Sequence, residues 1–442
     1  MSEINSRQIV LAILLQVLEE GGYSHLVINS TLDKYMYLDK QERSFIKRVS
    51  QGTIENLIRI DHVIDLYSNT KAFKMKPEIR NILRLSVYQI LFMDSIPDYS
   101  VCNEAVKLTL ATKKYRNLKG FVNGVLRTIC RERENISYPD IATEYSIPGW
   151  IATQWEAQYG KECSEMMIRV QNEPSPVTIR PGYNVSVSEL EEILIREGVN
   201  VCKAPYIKDA LEISGFDKLS DIKSFVNGKF YIQDISSMLV GLISAPKKGD
   251  FCLDVCAAPG GKSLHLATLM ENTGRVLARD KSQYKVNMLN ENFKRSGLTN
   301  IGAECFDATV YDASMESKAD ILICDLPCSG LGVIRRKPDI KYKMNVKMQQ
   351  DLIRLQREII STVYKYVKVN GKLIYSTCTT NLEENIENVK WLTDHYPFHM
   401  ESINMELPEE LRCKSGEEGY IQLISGVNKS DSFFICKLLR DS

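Results

Sequence analysis

The 442-residue chain carries no net charge: 56 lysines and arginines balance 56 aspartates and glutamates. Global electrostatics therefore names no partner, and only local clusters of charge can do so. No apolar run is long enough to span a bilayer, and Met1-Ser2-Glu3-Ile4 has no basic stretch leading into an apolar segment. No membrane partner is expected, and the expected compartment is the cytoplasm. The twelve cysteines include no C-x-x-C pair, and in an unexported chain they are expected to be free thiols. Cys252 with Cys256, or Cys324 with Cys328, joined by His265, has neither zinc-ribbon nor zinc-finger spacing, so no metal is expected. Also missing are the dinucleotide fingerprint G-x-G-x-x-G and a Walker A loop, which argues against a ligand held by its pyrophosphate.

In place of those signatures the chain has FCLDVCAAPGGKSLHL at 251–266. The stretch reads as a buried strand, a tight loop and a helix beginning near Lys262, the order that seats a nucleotide-like ligand. Cys256, Ala257 and Ala258 keep the loop narrow, Pro259 fixes its path, and Gly260 and Gly261 let the backbone approach a ligand closely. A nucleoside without pyrophosphate suits such a loop, and S-adenosylmethionine is one. The following strand, RVLARD, ends in Asp280, at the distance where a doubly wound fold sets an acid on the ribose hydroxyls. The plainer reading of Asp280 is a cap on the helix that follows.

A content of 44% hydrophobic and 25% charged residues is that of an ordinary globular protein, and the length allows about three domains. Residues 1–138 read as all helix, with apolar stripes at 9–18, 26–34, 40–67, 77–93, 100–112 and 118–131. The last part is basic (Lys107, Lys113, Lys114, Arg116, Lys119, Arg127, Arg131, Arg133) with Tyr115 and Phe121 interleaved. It is either an RNA-backbone surface or a solvated helix face. Residues 139–240 open with prolines and then alternate strand and helix, with strands at 177–180, 210–213 and 230–232. A small α+β linker module of ferredoxin- or RRM-like plan is expected, with Arg180 at a strand end on a phosphate or an acid.

Residues 241–442 repeat strand and helix, with apolar strands at 251–255, 275–278, 302–306, 321–324 and 372–375. This predicts a doubly wound, Rossmann-like parallel sheet. A long helix with the stripe Met348, Leu352, Leu355, Ile359, Val363 and Tyr366 precedes the last of these strands and ends at Gly371. Two further strands, 421–424 and 433–438, pair antiparallel at the sheet edge.

Ligands of open parallel sheets sit beyond the carboxyl ends of the strands. Asp254, Asp280, Asp307, Asp325, Cys328 and Cys378 all fall there. Two thiols beside a methyl donor suit one chemistry. Carbon-5 of a pyrimidine is a poor nucleophile, but a thiolate added at carbon-6 makes it electron-rich enough to take a sulfonium methyl. A base then removes the carbon-5 proton, an acid such as Asp325 at ring N3 eases the first addition, and the target must be unstacked. Chemistry alone does not say which thiol attacks. Cys252, Cys305 and Cys324 read as small buried hydrophobes.

LDVCAAPGGK, DLPCSGLGVIRRKPDIK and STCT resemble the motifs of the RNA 5-methylcytosine methyltransferases, the NOL/NOP/Sun family. The helical part resembles NusB, a combination similar to the RsmB group acting on 16S ribosomal RNA. The resemblance implies an α/β Rossmann-like S-adenosylmethionine methyltransferase domain at the C-terminal end, preceded by the small α+β module and an all-α NusB-like domain. It implies Cys378 as nucleophile and Cys328 as the residue releasing product, with Asp325 meeting both base and cofactor. It puts Cys256, Ala257, Ala258, Pro259, Gly260, Gly261 and Lys262 around S-adenosylmethionine, Asp280 on the ribose and Asp307 beside the adenine. Arg335, Arg336 and Lys337 are expected on RNA phosphates or in a solvated loop. The family's final strand usually opens with glycine and two aromatics; here Ser432 precedes Phe433 and Phe434, a departure expected to lie away from the chemistry. The expected partner is small-subunit ribosomal RNA, unassembled or partly assembled, and the expected state is a monomer. The same motifs would serve transfer RNA, and the same domains a catalytically idle assembly or antitermination factor.

Overall fold

The structure, a computed structural model, describes residues 5–442; residues 1–4 and the side chain of Lys113 lie outside the described residues. Two compact units result. One holds the chain up to Glu173 together with Ile334–Lys343, and the other holds Pro174–Val333 and Met344–Ser442. The division differs from the three parts expected from the sequence. Helices Gly149–Tyr159 and Lys161–Val170 belong with the first unit, because Ser146 Oγ accepts the Ile58 amide at 2.8 Å and Asn172 bonds Asn56. The small α+β sheet shares a unit with the larger one.

The first unit is a helical bundle around Pro77–Phe92, a helix buried on nearly every face. Its polar residues are satisfied inside: Arg84 forks onto Asp61 at 2.8 and 2.7 Å. Helix starts follow the sequence. Asn5 accepts the Arg7 amide before Ser6–Leu18, and Asp39 accepts the Glu42 amide before Lys40–Glu55. The helix expected over 40–67 is two, Lys40–Glu55 and Leu57–Tyr67, broken where the Asn56 side chain donates back to the Gly52 carbonyl at 3.0 Å. In the basic stretch Lys107 pairs with Glu104, Arg131 with Glu132, and Arg133 with Glu134 and Asp98, so much of its charge is neutralised locally.

Residues 334–343 join this bundle through polar contacts. Asp339 takes the Ser24 amide and hydroxyl, and Lys343 donates to the Gly22 carbonyl at 2.6 Å. Arg335 is half-buried and donates to the Glu173 carbonyl at 3.4 Å, whereas Lys337 is exposed. Lys341 is 1% exposed and donates to the Glu55 carbonyl at 2.8 Å. Burial, only partly offset by the Glu55 carboxylate, pulls its ammonium down to about 7 from 10.5. Between those values the unfolded chain holds a proton that the folded one has lost, so this group's contribution to stability improves as pH rises through the window. Below about pH 7 the cost of a buried charge is fully present. Lys341→Met should therefore stabilise the protein by a few kcal/mol at pH 6, on the order of 1.4 kcal/mol per pH unit of displacement less one lost hydrogen bond. The gain should vanish near pH 10, as chemical denaturation at both pH values would measure; an equal gain at both would place the cost in packing rather than in charge.

The second unit has two sheets. The small one contains β1 (Val177–Pro181), β2 (Asn200–Lys203), β3 (Leu211–Ser214) and β4 (Phe230–Ile232), all antiparallel in the order β2-β3-β1-β4. Helix Val187–Arg196 turns Leu190 and Leu194 into the core with Ile179 and Phe230. The mostly exposed β2 has no alternating pattern and was not expected from the sequence.

The large sheet contains β5 (Phe251–Asp254), β6 (Arg275–Asp280), β7 (Ile301–Cys305), β8 (Ala319–Asp325), β9 (Val367–Thr377), β10 (Phe398–Met400), β11 (Tyr420–Leu423) and β12 (Phe433–Arg440). Its order is β10-β12-β9-β8-β5-β6-β7, with β11 also on β12. Strands β5 to β9 are parallel, and β12 runs antiparallel to β9. So β12 is internal, flanked by β11 and the unexpected three-residue β10, and is not the sheet's edge. Gly371 lies within β9 and ends no helix; the preceding helix is Val346–Val363. That helix leaves Met348 exposed and buries Gln349 and Gln356. Strand order reverses between β5 and β8, and the carboxyl ends of those two strands flank the switch point where such sheets bind ligands.

Candidate active site

Register builds the site. Asp325 at the end of β8 lies opposite Ser376 on β9, and the two following loops carry Cys328 and Cys378. Their sulfurs are 3.3 Å apart. Asp325 Oδ1 accepts the Ser376 hydroxyl at 2.8 Å, and Oδ2 accepts the Lys262 ammonium at 2.7 Å. Burial would lower the Lys262 ammonium, but the Asp325 charge and hydrogen bond, with Asp254 and Cys378 behind them, hold it above its ordinary value. Hydrogen bonding to Cys378 and then burial, with Glu384 and Asp325 adding repulsion, push the Cys328 thiol well up.

Behind the thiols lies a buried polar network that sequence reasoning missed. Ser329 Oγ contacts Thr379 Oγ1 at 2.6 Å and Glu384 Oε1 at 2.5 Å. Gln356 Nε2 donates to the Pro327 carbonyl at 2.8 Å and to Glu384 at 3.1 Å. The one available signal was a glutamine on the apolar face of a helix.

Along the rim of the switch point runs a cleft of about 250 Å³. Cys256, Ala258, Asp280, Asp307 and Asp325 line it, together with Cys328 and Cys378. Ala257, Pro259, Gly260, Gly261 and Lys262 support the loop without lining the cleft, and Lys262 serves Asp325 instead. Asp254 is buried beneath the loop, bonded to Ser263 at 2.6 Å, and burial raises its carboxyl to about 7. Gly260 sits at φ +100°, where a side chain is strained, and a Cβ there would reach Leu289 at 2.8 Å. Arg180 pairs with no acid among the described residues: it donates to Gln233 at 2.6 Å and to the Gly261 carbonyl at 3.4 Å, over the Tyr231 ring. Of the cysteines read as buried, Cys252 and Cys324 are so, but Cys305 is exposed, with its thiol toward the Lys281 carbonyl. Among the described residues no three His, Cys, Asp or Glu side chains form a metal-binding group, and no helix is long and apolar enough to cross a membrane.

Ser432 is not remote from the thiols. Its amide donates to the Gly332 carbonyl at 3.1 Å, and the Gly332 amide donates to the Cys378 carbonyl at 3.0 Å. A Cβ on Gly332 would stand 2.1 Å from the Ser432 oxygen and 2.8 Å from that of Cys378, both of them rigid backbone. Gly332→Ala should destabilise the unit by about 1–3 kcal/mol and displace Cys378. Thermal unfolding and the rate of thiol alkylation would both register the change.

The fit to a nucleoside donor can be judged from these groups. Among the described residues the Asp280 carboxylate accepts from the Ser282 amide at 3.1 Å and from Lys285 at 3.4 Å, which leaves lone pairs for a diol. Asp307 Oδ1 takes the Thr309 amide and hydroxyl, and Oδ2 has no donor among the described residues. No phosphate cradle accompanies them. Sheet order, switch-point cleft and donor set place the second unit among the Rossmann-like methyltransferases that use S-adenosylmethionine.

Comparison with known proteins narrows the class. Residues 241–439 match the family described as 16S rRNA methyltransferase RsmB/F, and residues 4–131 match the NusB family. A probable ribosomal RNA small subunit methyltransferase B from Bacillus subtilis (strain 168) is 35% identical, with 99% of each chain covered. A ribosomal RNA small subunit methyltransferase B from Cronobacter sakazakii is 26% identical over 99% of both. Two crystal structures share the fold: PH0851, at TM-score 0.82 and 24% identity over 99% of each chain, and NSun6 from Pyrococcus horikoshii with SFG, at TM-score 0.59 and 23% identity over 67% of this chain and 98% of that one. The chain belongs to the RsmB/F family of 16S rRNA methyltransferases, in the arrangement with an N-terminal NusB domain.

Proposed function

We propose that this chain methylates carbon-5 of a cytosine in 16S ribosomal RNA through a transient bond from Cys378 to carbon-6. The observation that carries the reading is the 3.3 Å contact of two thiols in the lining of a donor cleft, with Asp325 beside them. S-adenosylmethionine would supply the methyl group; Asp280 would hold its ribose, Asp307 its adenine, and Cys256 and Ala258 its flank. Cys378, as thiolate, adds to carbon-6 of an unstacked cytosine, and the ring electrons move toward N3 and carbon-5. As charge builds at N3, the Asp325 carboxylate relays to it a proton from the Lys262 ammonium, 2.7 Å away. Once carbon-5 carries its methyl, Cys328 takes the carbon-5 proton, the C5–C6 double bond re-forms and the bond from sulfur to carbon-6 breaks. Cys378 leaves as thiolate and N3 returns its proton, so both thiols and the base are restored. Bisulfite maps of ribosomal and transfer RNA from cells with and without the gene test the substrate. A 16S cytosine that loses protection is the expected result; an unchanged ribosomal map beside a lost transfer RNA site would overturn it.

A further inference from the structure

The least expected group near the thiols is Glu384. It is fully buried, and no Lys or Arg among the described residues lies within ion-pair distance. It accepts four hydrogen bonds instead: from the Ser329 amide at 2.8 Å, the Ser329 hydroxyl at 2.5 Å, Gln356 Nε2 at 3.1 Å and Asn381 Nδ2 at 3.3 Å. Burial raises its carboxyl above the ordinary carboxylate range, and the hydrogen bonds from Ser329, Gln356 and Asn381 pull the other way, toward the ionised form. A buried carboxylate without a counter-charge weakens a fold relative to an apolar side chain, so its retention calls for another account.

The bonded residues supply one. Ser329 directly follows Cys328, and its hydroxyl meets that of Thr379, which directly follows Cys378. Gln356 ties the carboxylate to the carbonyl of Pro327, which directly precedes Cys328. The Gln356 amide is itself oriented by Asn388 at 2.7 Å, and the Tyr375 hydroxyl donates to the Glu384 carbonyl at 2.5 Å. Glu384 does not line the cleft and touches neither sulfur. We infer that Glu384 is a positioning residue for the two-thiol reaction, acting through Ser329 and Thr379 to hold Cys328 and Cys378 where one base meets both. The inference rests on the function proposed above. Its charge has a second effect, since it opposes ionisation of Cys328.

The test uses the full chain, an unmodified 16S rRNA transcript and S-adenosylmethionine, with single-turnover methyl transfer followed across pH. Glu384→Ala should slow the reaction about 100-fold, the scale of a displacement near 1 Å, with cofactor affinity within about 2-fold of wild type because the cleft is untouched. Glu384→Gln keeps an acceptor for the Ser329 amide and Gln356, and should recover part of the rate. With the negative charge gone, Cys328 ionises more readily, so its pH profile should move to lower pH, which a packing role alone would not do. Thr379→Val, which keeps the carboxylate, should slow the reaction with no such displacement, and it decides the matter together with Glu384→Gln if the alanine variant fails to fold. Wild-type rates in Glu384→Gln and Thr379→Val, or cofactor affinity falling in step with rate, would overturn the inference. Should the wild-type protein itself leave the transcript unmethylated, the proposed function fails separately. The pH dependence of Cys328 alkylation in Glu384→Gln, which needs no RNA, would then be the measure: a shift to lower pH supports the placement of Glu384, and none overturns it.

Discussion

Cys378→Ala is expected to abolish methyl transfer, lowering the turnover rate by roughly 10⁴-fold or more, the scale of losing a nucleophile that works as a unit with its partner. Cofactor binding should stay near wild type, since Cys378 is one of many residues lining the cleft and Asp280 and Asp307 are untouched. Without a sulfur bonded to carbon-6, carbon-5 has no electron density to attack a methyl group, and hydrogen bonding at N3 alone does not create it. The remaining thiol is the serious competitor. Cys328 is 3.3 Å from Cys378, and hydrogen bonding to Cys378, then burial, with the Glu384 and Asp325 carboxylates behind them, opposes its ionisation. Transfer of labelled methyl groups to unmodified 16S rRNA, with a denaturing gel for protein–RNA adducts, measures both steps. An adduct or substantial turnover in Cys378→Ala would reassign the nucleophile to Cys328.

The candidate site could be located from the sequence because it lies at strand ends in short, distinctive strings. Cys328 and Cys378 are 50 residues apart, but a parallel sheet brings the carboxyl ends of neighbouring strands together, so strand order alone predicts their meeting. Helices with clear apolar stripes are legible for the same local reason, as over 77–93. What could not be read depends on tertiary partners. Gln356 in an apolar stripe has no local reason to be buried until Pro327 and Glu384 arrive from elsewhere in the chain. Lys262 stands in a glycine loop that reads as a ligand seat; its hydrogen bond to Asp325 depends on β8 lying beside that loop. The division of the chain near Glu173 rests on single long-range hydrogen bonds, such as Ser146 to the Ile58 amide, that leave no periodic trace. Three-residue β10 and the mostly exposed β2 are too short or too polar to show a pattern at all.

Cys328→Ala should stop the reaction at a later point, and so separates the two thiols. The variant retains Cys378, Asp325 and the cleft, so addition to carbon-6 and methylation at carbon-5 remain open to it. What it lacks is an acceptor for the carbon-5 proton, and a positioned base is worth about 10²–10⁴-fold. A stable protein–RNA complex should accumulate, surviving denaturant and requiring both S-adenosylmethionine and Cys378, while multiple turnover falls by that factor. The geometry also orders the events. Contact with Cys378 is the largest influence keeping the Cys328 proton in place. While Cys378 is an anion, the neighbouring S–H donates to it and Cys328 cannot act as a base. Once the Cys378 sulfur is bonded to carbon its charge is gone and that influence disappears; burial and the Glu384 and Asp325 carboxylates still oppose ionisation, so the Cys328 proton leaves to solvent more readily than before, not freely. If Cys328→Ala turns over at the wild-type rate and traps nothing, proton removal belongs to another group; if it forms no adduct under conditions where wild type turns over, Cys328 is needed for the attack itself.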